Sequence, residues 1–160
     1  MSRLVSILFF ALALIVHPEG RSDPSGITEA DAEAIRALIE SQLAAFAADD
    51  AQTAFSFASE NIQKTFGTAE HFLAMVRASY PVVYHPASVN FLDPERVDDV
   101  IVQVVEMADE DDRLWLAIYR MQRQPNGSWR IDGCVLKSVG GDKELGKRLS
   151  ALPSPCSRPR

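Results

Sequence analysis

Pro81 divides this chain into two regimes of hydrophobic spacing, and that division limits the folds open to it. Upstream, Ile35, Leu38, Ile39, Leu43, Phe46 and Ala47 recur every three or four residues, the spacing of one stripe on a helix. Thr28, with Asp31 three positions on, is a capping-box start for that helix, which should end near Ala48. Asp49-Asp50 can cap a second helix through Phe55 and Phe57. A third, Ile62 to Phe66, should stop at Gly67, and a fourth, capped by Thr68, should present Phe72, Leu73, Met75 and Val76 and stop before Pro81.

Downstream of Pro81 the period falls to two, the repeat of a strand. Val82 to Tyr84 reads as the start of a strand, continued by Val89 to Leu92 after a bend at Pro86. Val100 to Val105 is apolar on both faces. Leu114, Leu116 and Ile118 then share one face of a strand, and Trp115, Ala117, Tyr119 and Met121 the other. Asn126-Gly127 is a hairpin turn, because both residues tolerate positive φ. In the returning strand Trp129, Ile131, Gly133 and Val135 alternate with Arg130, Asp132, Cys134 and Leu136. Helices followed by an antiparallel meander, with no βαβ repetition, make this an α+β chain. One sheet face should pack on the long helix, and the other is apolar enough to want cover from further helices or a second subunit.

The ends read differently. Arg3 precedes a thirteen-residue run, Leu4 to Val16, that only Ser6 interrupts. As a helix it would rise about 20 Å, short of a bilayer core of about 30 Å. With HPEGRSDPSG behind it, the run is expected to be a secretory signal peptide covering residues 1–22, cut between Ser22 and Asp23. A periplasmic or secreted product follows, with residues 23–139 as a single domain and 140–160 as a polar, partly disordered extension. The net charge of −6 becomes −7 once Arg3, Arg21 and Glu19 are removed. Such a surface disfavours nonspecific nucleic-acid binding and adhesion to anionic lipid.

Three blocks, Gln42 to Gly67, Phe72 to Phe91 and Trp115 to Leu136, carry the motifs F-x-x-D-D, I-Q-x-x-F-G, M-V-R-x-x-Y-P and G-S-W-R-I-x-G-C. As a set they resemble an uncharacterised family of small exported bacterial proteins, known only as a domain of unknown function. The order of elements is similar to the nuclear transport factor 2-like cone fold. That resemblance implies helices packed on a curved antiparallel sheet around a pocket, which some members use for catalysis and others for ligands, while many dimerise. It implies no catalytic residue here.

Each candidate site has a plainer structural alternative. Asp49-Asp50 could supply half a metal site, but capping explains the pair without a second acidic cluster. Asp109 to Asp112 lacks the glycine-centred spacing of a calcium loop and reads as a solvated turn. His71 and His85 sit on separate elements with no cysteine near, so no zinc site and no other metal or cofactor is expected. His85, flanked by Tyr84 and Pro86, could serve as a general base at a pocket mouth. Asp132 could point inward and move protons, or pair with Arg130 or Arg123, or bond to a backbone bend. Tyr80, Tyr84, Trp115, Tyr119 and Trp129 could line a ligand pocket, form the centre of a dimer contact, or fill the core. Cys134 and Cys156 could close a disulfide loop of about twenty residues, or Cys134 could be a buried apolar residue of its strand. The leading expectation is a noncatalytic module that binds a small apolar ligand or an envelope protein, with a homodimer as one form. A cofactor-free acid–base enzyme of isomerase or dehydratase type using Asp132 or His85 is the alternative. A purely structural domain is the third.

Overall fold

The computed structural model describes residues 26–140. The expected signal segment, Cys156 and nearly all of the C-terminal extension lie outside that range. Five helices come first: α1 (Glu29–Ala47), α2 (Ala51–Ser56), α3 (Glu60–Phe66), α4 (Ala69–Ser79) and α5 (Pro81–Tyr84). Five strands follow: β1 (Ser88–Phe91), β2 (Glu95–Val97), β3 (Val100–Ala108), β4 (Leu114–Arg123) and β5 (Trp129–Val139). They form one open antiparallel sheet in the order β1-β3-β4-β5, and β2 also pairs with β3. The architecture is α+β.

Local chemistry sets the helix ends. The Asp31 amide donates to the Thr28 hydroxyl at 3.1 Å, and the Thr28 amide returns a bond to Asp31 Oδ2 at 3.3 Å, completing the capping box of α1. Asp49 takes φ +56° as α1 gives way to α2, and Asp50 then accepts from the Thr53 amide at 3.0 Å. An aspartate tolerates that left-handed conformation better than a bulkier residue. Ser59 and Thr68 cap α3 and α4, and Gly67 ends α3 at φ +73°. Ile35, Ile39 and Phe46 of α1 are almost wholly buried in one apolar core with Val105, Ala117 and Tyr119 of the sheet. Burying each such large side chain contributes about 1.5–3 kcal/mol before entropy is counted.

The inner sheet face carries Ile101, Gln103, Val105 and Met107 from β3 with Trp115, Ala117, Tyr119 and Met121 from β4. The β4 parity is therefore the one its sequence implies.

Two expectations fail. Val82 to Tyr84 is not a strand but the short helix α5, begun by Pro81 at its first turn. Proline presets a helical φ there, and packing of Val82 and Val83 into the core outweighs their β-branched preference. In β5 the alternation does not run through. Arg120 pairs with Gly133 while Met121 pairs with Ile131, which leaves Asp132 as the extra residue of a β-bulge. The inward set therefore changes from Trp129 and Ile131 to Cys134 and Leu136, and Val135 ends up 56% exposed.

Beside the bulge, residues 57–59 dock on β5. The Ser59 amide donates to the Ile131 carbonyl at 2.8 Å, and the Ile131 amide to the Phe57 carbonyl at 3.0 Å. This contact caps the start of an otherwise open sheet edge.

Candidate functional site

Aromatic side chains of the helices and the inner face of β4 and β5 line a partly open cavity of about 210 Å³. Phe46, Phe66, Phe72, Met75 and Val76 form the helical wall, and Tyr119, Ile131, Gly133 and Cys134 form the sheet wall. The phenyl rings brace one another, with Phe72 centred 6.0 Å from Phe46 and 5.5 Å from Phe66. Such offset and edge-on contacts hold the wall rigid. Tyr80 also lines the cavity, and its hydroxyl donates to the Cys134 carbonyl at 3.3 Å, tying the end of α4 to β5.

Tyr119 is the unusual member. It is 1% exposed, and its hydroxyl has no hydrogen-bond partner among the described residues. Leaving a buried hydroxyl unpaired costs about 1–3 kcal/mol, so such groups are rare in folded proteins. Burial pushes its pKa well above the usual tyrosine value, and the neighbouring Cys134 adds to the effect. Burial likewise pushes the Cys134 thiol up to about 12. Both groups are protonated at neutral pH, and both residues belong to the mostly apolar cavity wall.

The other sequence candidates lie elsewhere. The Trp129 indole donates to Asp31 Oδ1 at 3.3 Å, at the far end of the inner face. Arg123 lies 3.4 Å from the same carboxylate oxygen. The Thr28 hydroxyl above all, with Trp129 and Arg123 assisting, holds the Asp31 carboxyl below its ordinary value despite burial. Trp115 donates to Asp109 at 3.0 Å. Burial alone would raise the Asp109 pKa, but bonds from Trp115, the Arg113 and Asp111 amides and the Arg113 charge bring it down. The run Asp109 to Asp112 is a turn, with Asp112 at φ +58°.

The Tyr84 ring packs partly buried against Phe46, outside the cavity lining, with its hydroxyl toward the exterior. That hydroxyl donates to Asp49 and accepts from Arg77 Nε at 2.8 Å, and Arg77 also pairs with Asp49. Tyr84 and Arg77 together hold the Asp49 carboxyl below its ordinary range. His85 stacks edge-on against Tyr84 at 4.3 Å, and His71 sits at the first turn of α4 on the exterior. Asp132, on the bulge, accepts from the Ser59 hydroxyl at 2.7 Å and pairs with Arg120, rather than with Arg130 or Arg123. Of the five aromatic candidates, the cavity brings together Tyr80 and Tyr119; Tyr84, Trp115, Trp129, His85 and Asp132 do not line it. Cys134 does, while its expected partner Cys156 falls outside the described residues.

Sequence reasoning missed the phenylalanines. Phe46 and Phe72 stand on the apolar helical stripes and Phe66 just before the terminating Gly67, which marks them as buried but not as neighbours of one another. Among the described residues, no three His, Cys, Asp or Glu side chains converge as metal ligands. No helix there is long and apolar enough to cross a membrane.

The model of a family described as a domain of unknown function (DUF4864) matches residues 28–143, most of the chain and the whole of the cavity wall. The chain belongs to this family. No curated protein matches it. Every element from α1 to β5 falls inside the family match, so the cavity is built wholly from family sequence.

Proposed function

We propose that this DUF4864 protein is an exported, noncatalytic binding module that holds a small, mostly apolar molecule bearing one hydrogen-bond acceptor. The observation that carries this reading is Tyr119, a residue of the mostly apolar cavity wall whose buried hydroxyl has no hydrogen-bond partner among the described residues. An acceptor on the ligand would take its proton and remove the desolvation penalty, while the phenyl rings would cover the apolar body. The helices-then-sheet order, the bulge in β5 and the cavity between helices and sheet support a nuclear transport factor 2-like cone. Arg3 and the Leu4 to Val16 run support export to the periplasm or beyond.

Acid–base catalysis has weaker support, because among the described residues no carboxylate or imidazole lines the cavity, and burial raises the pKa of both Tyr119 and Cys134.

Native and denaturing mass spectrometry of the protein from its source cells tests the reading directly. A small-molecule adduct released by denaturation is the expected result. Thermal shifts with cyclohexanone and cyclohexane provide a second arm. The ketone should stabilise the protein more than the hydrocarbon, and Tyr119→Phe should erase that difference. A clean apo mass together with equal responses to both probes sinks the proposal.

A further inference from the structure

The outer face of the sheet is apolar along its middle and charged on either side. Val104, Ile118 and Val135 lie in one row across β3, β4 and β5. Leu114 and Val139 pair at one end of the face, and Val100 and Val97 at the other. Leu114, Val97 and Val139 are each about half exposed (53%, 50% and 48%), and no described element covers them. The sheet is four strands wide, and β4 is ten residues long, so the face measures about 600 Å² in plane. The whole face, its charged rows included, thus approaches the roughly 800 Å² per partner of a stable interface.

The charges are placed asymmetrically. Asn90, Glu106, Leu116 and Lys137 form one row across β1, β3, β4 and β5. Glu106 accepts from Asn90 Nδ2 at 2.8 Å, which fixes its carboxylate on the face. Lys137 has no ion-pair partner among the described residues and is exposed.

We propose that two copies of this chain pack outer face to outer face about a two-fold axis running along β4. Rotation about that axis exchanges β3 with β5. Glu106 of each copy then faces Lys137 of the other, Val104 faces Val135, and Leu116 and Ile118 face their own counterparts. An isologous interface requires this self-complementarity. Moving the axis to lie between β3 and β4 would instead set Glu106 against Leu116 and Lys137 against Asn90, wasting both charges. Arg120 would approach its own counterpart, but each is neutralised by its own Asp132. Sheets packed in this way lie about 10 Å apart, a gap that a lysine and a glutamate can span together.

Sedimentation equilibrium on the full-length product, with its N-terminus read by mass spectrometry, tests the arrangement across micromolar concentrations. A dimer is expected. Glu106→Lys and Lys137→Glu should each weaken it roughly tenfold or more, since two attractive contacts become two repulsive ones. Mixing the two variants should restore a heterodimer, because both contacts then become attractive again. Ile118→Asp should give a monomer with an unchanged circular dichroism spectrum. Should that variant unfold, the charge exchange alone decides. A monomer at every concentration overturns the proposal. So does a dimer indifferent to the exchange, or a monomer that dimerises only when residues 141–160 are deleted.

Discussion

The inner face of the sheet treats its two ends in opposite ways. At one end Trp129 is buried with its indole bonded to Asp31, whose oxygens also accept from Thr28 and lie near Arg123. A few residues along, Tyr119 is buried at least as deeply, yet its hydroxyl meets no partner among the described residues. Both are aromatic side chains with a polar tip, and both derive most of their contribution from burial. Where the tip is paired, the chain joins α1 to the hairpin of β4 and β5. Where it is not, the helices stand off and leave a cavity. Pairing marks a residue held for stability; under the proposed function, the residue with the unpaired donor is the one held for a ligand.

The sharpest way to break this contrast is at Trp129. Trp129→Ala should cost about 3–5 kcal/mol, read from the urea midpoint, because it opens a void and strips Asp31 of a donor. Trp129→Phe, which keeps most of the apolar body, should cost visibly less. Equal losses would mean the indole bond contributes nothing. Ser59→Ala comes next. The Ser59 hydroxyl accepts from the Ile62 amide and donates to Asp132, so its loss removes a cap and leaves the bulge carboxylate short of a donor. A loss of about 2 kcal/mol is expected. An unchanged midpoint would show that Arg120 alone holds Asp132.

The paired end should also be the acid-sensitive one. The folded Asp31 carboxyl lies below its ordinary value of 3.8, chiefly through the Thr28 hydroxyl. A depressed carboxyl contributes stability that is full above the unfolded value and lost as pH falls through the folded one. Urea midpoints followed from about pH 6 to about pH 3 should therefore fall more steeply in the wild type than in Asp31→Asn. Other carboxyls, such as Asp49 and Asp50, are lowered too. The difference between the two curves, not the fall itself, isolates Asp31. Parallel curves would remove Asp31 from the latch.

The two ends were not equally legible in the sequence. Thr28 and Asp31, the dipeptide Asp49-Asp50, Thr68 and the glycine at 67 state the helix boundaries through local chemistry, and the structure uses them as such. The β4 face containing Trp115, Ala117, Tyr119 and Met121 follows from a period of two. The bulge does not. Ile131-Asp132-Gly133 continues the alternation on paper, and only docking of residues 57–59, over seventy positions earlier, explains where β5 takes its extra residue. Without the bulge, Cys134 would face outward and the cavity would lose part of its wall. Helix α5 was hidden for a similar reason, since Val82-Val83-Tyr84 has strand chemistry and only core packing makes it helical. The phenylalanine wall joins α1, α3 and α4, contacts between segments that no local pattern encodes.

The smallest expected change in stability gives the most direct test of the contrast. Tyr119→Phe removes one oxygen that bonds to nothing among the described residues, so the stability read from urea unfolding should stay level or rise by up to about 1 kcal/mol. Tyr80→Phe is the control, because its hydroxyl does have a partner in the Cys134 carbonyl and its loss should cost about 1 kcal/mol. Ligand affinity should reverse that order. Losing the Tyr119 donor should weaken binding of the cyclohexanone probe about tenfold, the worth of one hydrogen bond in an apolar site, while Tyr80→Phe leaves it nearly unchanged. If Tyr119→Phe destabilises the protein as much as Tyr80→Phe and binds the ketone as well as wild type, the hydroxyl has an internal partner, and the unpaired end of the sheet is core like the other.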